Sequence, residues 1–138
     1  MILADTSAWV EFDRATGSVV DQRLTELVSI DSELAVTEPI IAEVAAGART
    51  DEREAALRRL LARANLLPFD SVTDFDGAVR VYRLCRQAGV TPRGLLDCMI
   101  AAVALRHGAA VLAHDADMAR IAGVVPLQLD RATLRPQP

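Results

Sequence analysis

The sequence predicts an α/β fold: a three-layer α/β/α sandwich around a mostly parallel, five-stranded sheet. Three observations carry this prediction. Apolar runs of three or four residues, too short for helices, recur at Ile2-Leu3-Ala4, Leu34-Ala35-Val36, Leu66-Leu67-Pro68-Phe69, Ala110-Val111-Leu112-Ala113 and Val124-Val125-Pro126-Leu127. Between them lie stretches with helical periodicity, and strands alternating with helices call for a parallel sheet covered on both faces. The 138 residues, 51% hydrophobic and 25% charged, suit one domain with a substantial core. No linker, repeat or low-complexity stretch divides the sequence, so a single domain is expected over 1–134, with 135–138 as a loose tail.

Taken in order, the first run ends in Asp5-Thr6-Ser7 and passes into the helical pattern Ala8-Trp9-Val10-Glu11-Phe12. Residues 18–30 read as an amphipathic helix with Val19, Leu24, Leu27 and Val28 on one side. After the second strand, Thr37-Glu38-Pro39 looks like a helix start, because proline is tolerated in a first turn. That helix runs to about Gly47, and a charged helix follows over 51–64. The third strand, 66–69, contains Pro68 and is expected at an edge of the sheet. A helix then begins at Ser71 or Thr73 and ends before Gly89. The most apolar helix is 94–107, and a short one follows the fourth strand up to Ala122.

Composition excludes several classes of function. The chain has fifteen arginines and no lysine, which removes the P-loop lysine, the lysine of phospho-acceptor receiver domains and Schiff-base chemistry together. Cys85 and Cys98 stand in separate helical stretches, without the spacing of a zinc site or a disulfide framework. With no basic leader and no apolar stretch long enough to span a bilayer, a cytoplasmic, soluble protein is expected. Aromatic residues make up only 4%; Trp9, Phe12, Phe69, Phe75 and Tyr82 sit mostly in apolar patterns and are expected in the core.

Five acids do not fit their surroundings. Asp5 follows a buried strand, where it caps the next helix or stands in a site at the carboxyl end of the sheet. Glu43 lies on the flank of a packing face. Asp97 is the only charge between Gly94 and Arg106, and a charge in a buried helix is costly unless paired or bound to a metal. Ala101 and Ala104 line the same stripe, leaving room for a close approach. Asp115 and Asp117 follow the fourth strand. Acids after strands and near helix starts can converge at one edge of the sheet, and no basic side chain is evident among them. Carboxylates gathered in this way call for cations, and an all-oxygen set favours Mg²⁺ or Mn²⁺ over zinc.

The runs Ile2-Leu3-Ala4-Asp5-Thr6-Ser7-Ala8-Trp9, Glu38-Pro39-Ile40-Ile41-Ala42-Glu43-Val44, Leu95-Leu96-Asp97-Cys98-Met99-Ile100-Ala101-Ala102 and His114-Asp115-Ala116-Asp117 resemble, in order and spacing, those of PIN-domain ribonucleases. The likeness is to the VapC toxin group of bacterial toxin–antitoxin pairs and covers nearly the whole chain. It implies that Asp5, Glu43, Asp97 and Asp115 are the catalytic, metal-binding acids, with Thr6 or Ser7 assisting and Asp117 as a further ligand. It also implies that the first and fourth strands lie side by side. A departure at Met118, where similar sequences carry Phe or Tyr, touches packing more than chemistry.

The implied reaction is metal-assisted hydrolysis of RNA phosphodiesters, in which no histidine base is required; His107 and His114 are expected to be structural or surface residues. A net charge of −4 sits awkwardly with an RNA substrate, but setting aside the five site acids leaves +1 for the remaining surface. Arg80, Arg83 and Arg86 recur along one helix, as a solvated face or an electropositive ridge. The resemblance further implies a VapB-type antitoxin whose C-terminal segment wraps the toxin and blocks the acids, and a homodimer. The alternative from another class is a catalytically idle PIN-like interaction module, against which the complete acid set argues.

Overall fold

Strand and helix alternate along the chain as the apolar pattern requires. The computed structural model describes residues 1–30 and 33–135. In chain order the elements are β1 (Ile2–Ala4), α1 (Thr6–Asp13), α2 (Val19–Ser29), β2 (Leu34–Val36), α3 (Glu38–Ala46), α4 (Asp51–Arg63), β3 (Asn65–Leu66), α5 (Thr73–Gln87), α6 (Leu95–His107), β4 (Ala110–Leu112) and α7 (Ala116–Ala122). The strands form one sheet in the order β3-β2-β1-β4, parallel at every pairing. β1 lies inside it, with Leu3 opposite Ala35 on one side and Val111 on the other. Leu3, Ala35 and Val111 are fully buried, as expected for parallel strands covered on both faces.

Local chemistry sets the helix ends. The Ser18 hydroxyl accepts the Asp21 N–H at 3.1 Å, and the Thr50 hydroxyl accepts the Arg53 N–H at 3.0 Å, each satisfying a donor that the first turn leaves free. Pro39 occupies the first turn of α3. Gly108, at φ +64°, closes α6 in the left-handed conformation that glycine adopts without strain. α5 packs directly against α6. A Cβ added at Gly77 would come within 3.1 Å of the Ala102 Cβ, so the small residues here set how closely the two helices approach.

Two buried or partly buried ion pairs staple distant segments. The Arg23 guanidinium on α2 donates through Nε and Nη2 to Asp130 at 3.1–3.3 Å. Arg106 on α6 donates to Asp74 on α5 at 2.7 and 2.9 Å and to the Pro68 carbonyl at 2.6 Å.

The sheet corrects the sequence reading in three places. The fifth strand expected at 124–127 does not form. The Leu127 N–H turns back onto the Val125 carbonyl at 2.7 Å, Pro126 has no N–H to offer, and the chain pairs alongside β4 as an isolated parallel bridge between Val111 and Leu129. Among the described residues the sheet therefore has four strands. β3 is shorter and earlier than the run at 66–69, because after Leu67 donates to the Val36 carbonyl at 2.7 Å Pro68 ends the ladder; it is an edge strand, as expected. Phe75, placed in the core by its pattern, is 51% exposed, with its ring edge-on to Phe69 at 4.9 Å. Trp9 and Met118 are buried in the core. Past the bridge, the Leu134 N–H donates to the Ala113 carbonyl at 2.9 Å, which ties the chain to the end of β4. Of the tail expected at 135–138, only Arg135 is described.

Candidate metal centre

Because β1 and β4 are bonded neighbours, the residues following them emerge side by side at one end of the sheet. The Asp5 N–H donates to the Leu112 carbonyl at 2.9 Å. Asp5 caps α1: its Oδ2 accepts the Ser7 N–H at 3.3 Å and the Ser7 hydroxyl at 2.8 Å. The Ser7 hydroxyl also accepts the His114 N–H, at 2.9 Å. The other carboxylate oxygen of Asp5, Oδ1, is buried and has no partner among the described residues. One carboxylate thus serves as a cap through one oxygen and leaves the second free for a site. Asp115 likewise caps α7, its Oδ1 accepting the Asp117 N–H at 2.8 Å.

Asp97 arrives from a different layer. α6 ends at Gly108 just before β4 begins, so its first turn, which carries Asp97, returns to the end of the sheet where β4 finishes. Asp97, Asp115 and Asp117 each present a carboxylate oxygen within 4.8 Å of the others, a spacing that one divalent cation can bridge. Burial, and after it the negative charge of Asp5, push the Asp97 carboxyl up to about 7; Asp115 and Asp117 act in the same direction and Arg93 against it. Burial also raises Asp5, outweighing the two Ser7 hydrogen bonds, with Glu43 adding to the rise.

Glu43 stands apart from the three-acid group. The Thr6 hydroxyl of α1 donates to Glu43 Oε1 of α3, which turns Glu43 towards Asp5. Asp5, Thr6, Ser7, Glu43, Asp97 and Asp115 all line one cleft of about 340 Å³; Asp117 joins it through the three-acid group. The structure thus gathers all seven residues singled out from the sequence.

One expectation fails. A basic side chain does converge with the acids: Arg93, in the loop between α5 and α6, lines the same cleft. Its Nη2 lies 3.0 Å from Asp115 Oδ2 and 3.8 Å from Asp97 Oδ2, and its Nε lies 3.9 Å from Asp117 Oδ2. Asp115 and then Asp97 hold its guanidinium protonated above the usual arginine range. Arg93 precedes Asp97 by four residues, but it lies ahead of α6, so the spacing of charges along a helix face gave no signal of the contact. Glu11 was also missed. His114 Nε2 lies 3.4 Å from Glu11 Oε1, so His114 has a local partner as expected, although both residues border the cleft. His107 is exposed, as are Arg80, Arg83 and Arg86.

Residues 2–124 match the PIN domain family. A VapC ribonuclease of Mycobacterium bovis and ribonuclease VapC11 of Mycobacterium tuberculosis are each 44% identical to this chain over 129 residues, which cover 93% of it and 96% of each relative. Among solved structures, VapBC2 of Rickettsia felis bound to a promoter DNA fragment gives a TM-score of 0.73 at 18% identity, covering 94% of this chain and 98% of its own. DNA-bound VapBC of Salmonella typhimurium gives 0.72 at 17% identity, covering 94% and 96%. These two likenesses bear on the fold, a parallel sheet with helices on both sides. Family profile and sequence relatives agree: the chain belongs to the PIN-domain family, in its VapC ribonuclease group.

Proposed function

We propose that this protein is a Mg²⁺- or Mn²⁺-dependent endoribonuclease and the toxin of a toxin–antitoxin pair, cutting RNA at the cleft lined by Asp5, Glu43, Asp97 and Asp115. The observation that carries this reading is the convergence of Asp97, Asp115 and Asp117 beside the unpartnered Oδ1 of Asp5. A hard divalent cation fits that set. The donors are all carboxylate oxygens, a buried acceptor lacks a donor among the described residues, and burial, with the nearby charge of Asp5, already drives Asp97 towards its neutral form.

In this reading Asp5, Asp97, Asp115 and Asp117 would hold the metal, with Glu43, which the resemblance also makes a ligand, standing back from the three-acid group. A divalent cation held there would supply Lewis acidity for attack on the phosphodiester at neutral pH. Glu43, fixed by Thr6, orients the attacking water by accepting a hydrogen bond from it. Ser7 keeps Asp5 in place relative to the end of β4. The cap hydrogen bonds on Asp5 and Asp115 hold both carboxylates in one orientation, so little reorganisation is needed on binding.

The partners follow from the same face. An acidic cleft invites a basic segment, and a VapB-type antitoxin covering the acids fits both the chemistry and the kinship; a homodimer is the proposed assembly. No helix among the described residues is long and apolar enough to cross a membrane, and the proposed place of action is the cytoplasm. Residues 1–134 are proposed to act as one domain. The test is cleavage of total RNA by the purified protein in Mn²⁺, in Mg²⁺ and in EDTA, together with expression in a bacterial host. Cleavage with either metal, none in EDTA, and growth arrest that Asp97→Asn abolishes are expected. Undiminished cleavage in EDTA would overturn the metal assignment, and an inert wild type would favour the interaction module.

A further inference from the structure

The metal-nuclease reading leaves Arg93 without a role, although its guanidinium lies across the three acids best placed to share a cation. We infer that Arg93 competes with the divalent metal for Asp97, Asp115 and Asp117, and that the metal, on binding, releases it to grip a phosphate of the RNA strand. The inference rests on the metal-nuclease reading and deepens it.

The contact distances support the first half. Arg93 Nη2 is 3.0 Å from Asp115 Oδ2 and also faces Asp97 Oδ2, while Nε faces Asp117 Oδ2. Those three residues are the ones whose carboxylate oxygens lie within 4.8 Å of one another. A Mg²⁺-sized ion sits about 2.0–2.1 Å from its oxygens. An ion drawing on these carboxylates would take over the attraction that holds the guanidinium and would repel it as a like charge, so the arginine must give way.

The side chain is also free to move. It is 70% exposed while Asp97 and Asp115 are 12% and 18% exposed, so it reaches in from solvent towards acids held by the fold. Ion pairs whose cation stands this far in solvent are held weakly. Its anchor, Gly94, is the cap residue of α6 in extended backbone.

The second half follows from what Arg93 borders on its other side. It lines a second cleft of about 420 Å³ together with Tyr82, Arg83 and Leu95. An arginine, an aromatic ring and an apolar wall next to a phosphodiester-cutting centre suit the neighbouring nucleotide of a single strand: the ring for a base, the guanidinium groups for phosphate. Arg93 is the wall shared by the two clefts, and released from the acids it meets the strand as it leaves the metal.

The test pairs metal binding with RNA binding in wild type, Arg93→Gln and Arg93→Lys. Mn²⁺ titrated calorimetrically, without RNA, should bind Arg93→Gln about three- to tenfold more tightly than wild type, the amount that losing weak exposed pairs predicts. Arg93→Lys, which keeps the charge, should stay close to wild type. Binding of a short single-stranded phosphorothioate RNA is then followed against salt. In Mn²⁺, Arg93→Gln should lower the slope of log K against log salt by about 0.7, one phosphate contact on a single strand; in EDTA the slopes should match. Equal Mn²⁺ affinities for wild type and Arg93→Gln would overturn the competition, and equal slopes in Mn²⁺ would overturn the phosphate contact. A wild type that takes up no Mn²⁺ would instead sink the metal reading, and this inference with it.

Discussion

The Ser7 hydroxyl accepts the backbone N–H of His114 at 2.9 Å, across 107 positions of sequence, while donating to Asp5 Oδ2 at 2.8 Å. One small side chain thereby fixes the end of β1 against the end of β4 and orients the first acid of the cleft. Ser7→Ala removes both bonds. The expected cost is about 1–2 kcal/mol of stability, read by denaturant titration. Asp5 would also lose a hydrogen bond that favours its charged form, so Mn²⁺ affinity should fall by more than the change in stability explains. Unchanged affinity would confine Ser7 to a structural role.

Glu43 and Thr6 give a cleaner separation of fold from chemistry. Gln at position 43 can still accept the Thr6 hydroxyl, so Glu43→Gln should melt within a few degrees of wild type with an unaltered circular dichroism spectrum. Cleavage should nevertheless fall at least about tenfold, the scale on which groups supporting a metal site act. Activity within a few-fold of wild type would make Glu43 a mere packing-flank residue.

The acid cluster predicts a particular pH dependence. Asp97 is raised from its ordinary value to about 7. A carboxyl raised on folding keeps its proton in the native state after the unfolded chain has lost it. Its contribution is therefore fully present below about pH 4 and fades as pH rises through about 7. Without metal, stability should fall over that window, by up to about 1.4 kcal/mol per pH unit from this group. Asp97→Asn should flatten the fall, and in EDTA at pH 7.5 it should melt at or above the wild-type temperature. Excess Mn²⁺ should reverse the order, since metal at a hundred times its dissociation constant stabilises the folded state by about 2.7 kcal/mol. A mutant melting well below wild type in EDTA would make Asp97 a structural acid.

The Arg23–Asp130 pair offers a control away from the cleft. Asp130→Ala leaves the buried Arg23, 9% exposed, without its main partner, which should cost about 3–5 kcal/mol. Mn²⁺ affinity per folded molecule should not change. A large change in affinity would mean that the 130 region sets the geometry of the site.

Much of the site was legible because its acids interrupt apolar patterns. Asp5 and Asp115 end or follow buried runs, and Asp97 is a lone charge in an otherwise apolar helix. Arg93 was not legible in that way, since it lies in a polar loop where an arginine breaks no pattern and its direction is set by tertiary structure. The missing fifth strand is the converse. Val125 and Leu127 are buried as alternate residues of a strand would be, but burial of alternate residues does not supply a ladder, and a tight turn beside Pro126 places the bridge at Leu129 instead. Glu43 gave a fair signal of its site but none of its partner, because the Thr6 contact joins helices 37 residues apart.

The adjacency of β1 and β4 has a temporal consequence. Asp115 is made 110 residues after Asp5. At 5–20 residues per second that interval lasts roughly 5–20 s, and until its end the cleft lacks the carboxylate of Asp115. Asp97 and Asp115 join it only after most of the chain exists, and the Arg23–Asp130 staple can close only later still. The cleft therefore cannot assemble on a growing chain before Asp115 and Asp117 have left the ribosome, and its geometry arrives late and as a unit.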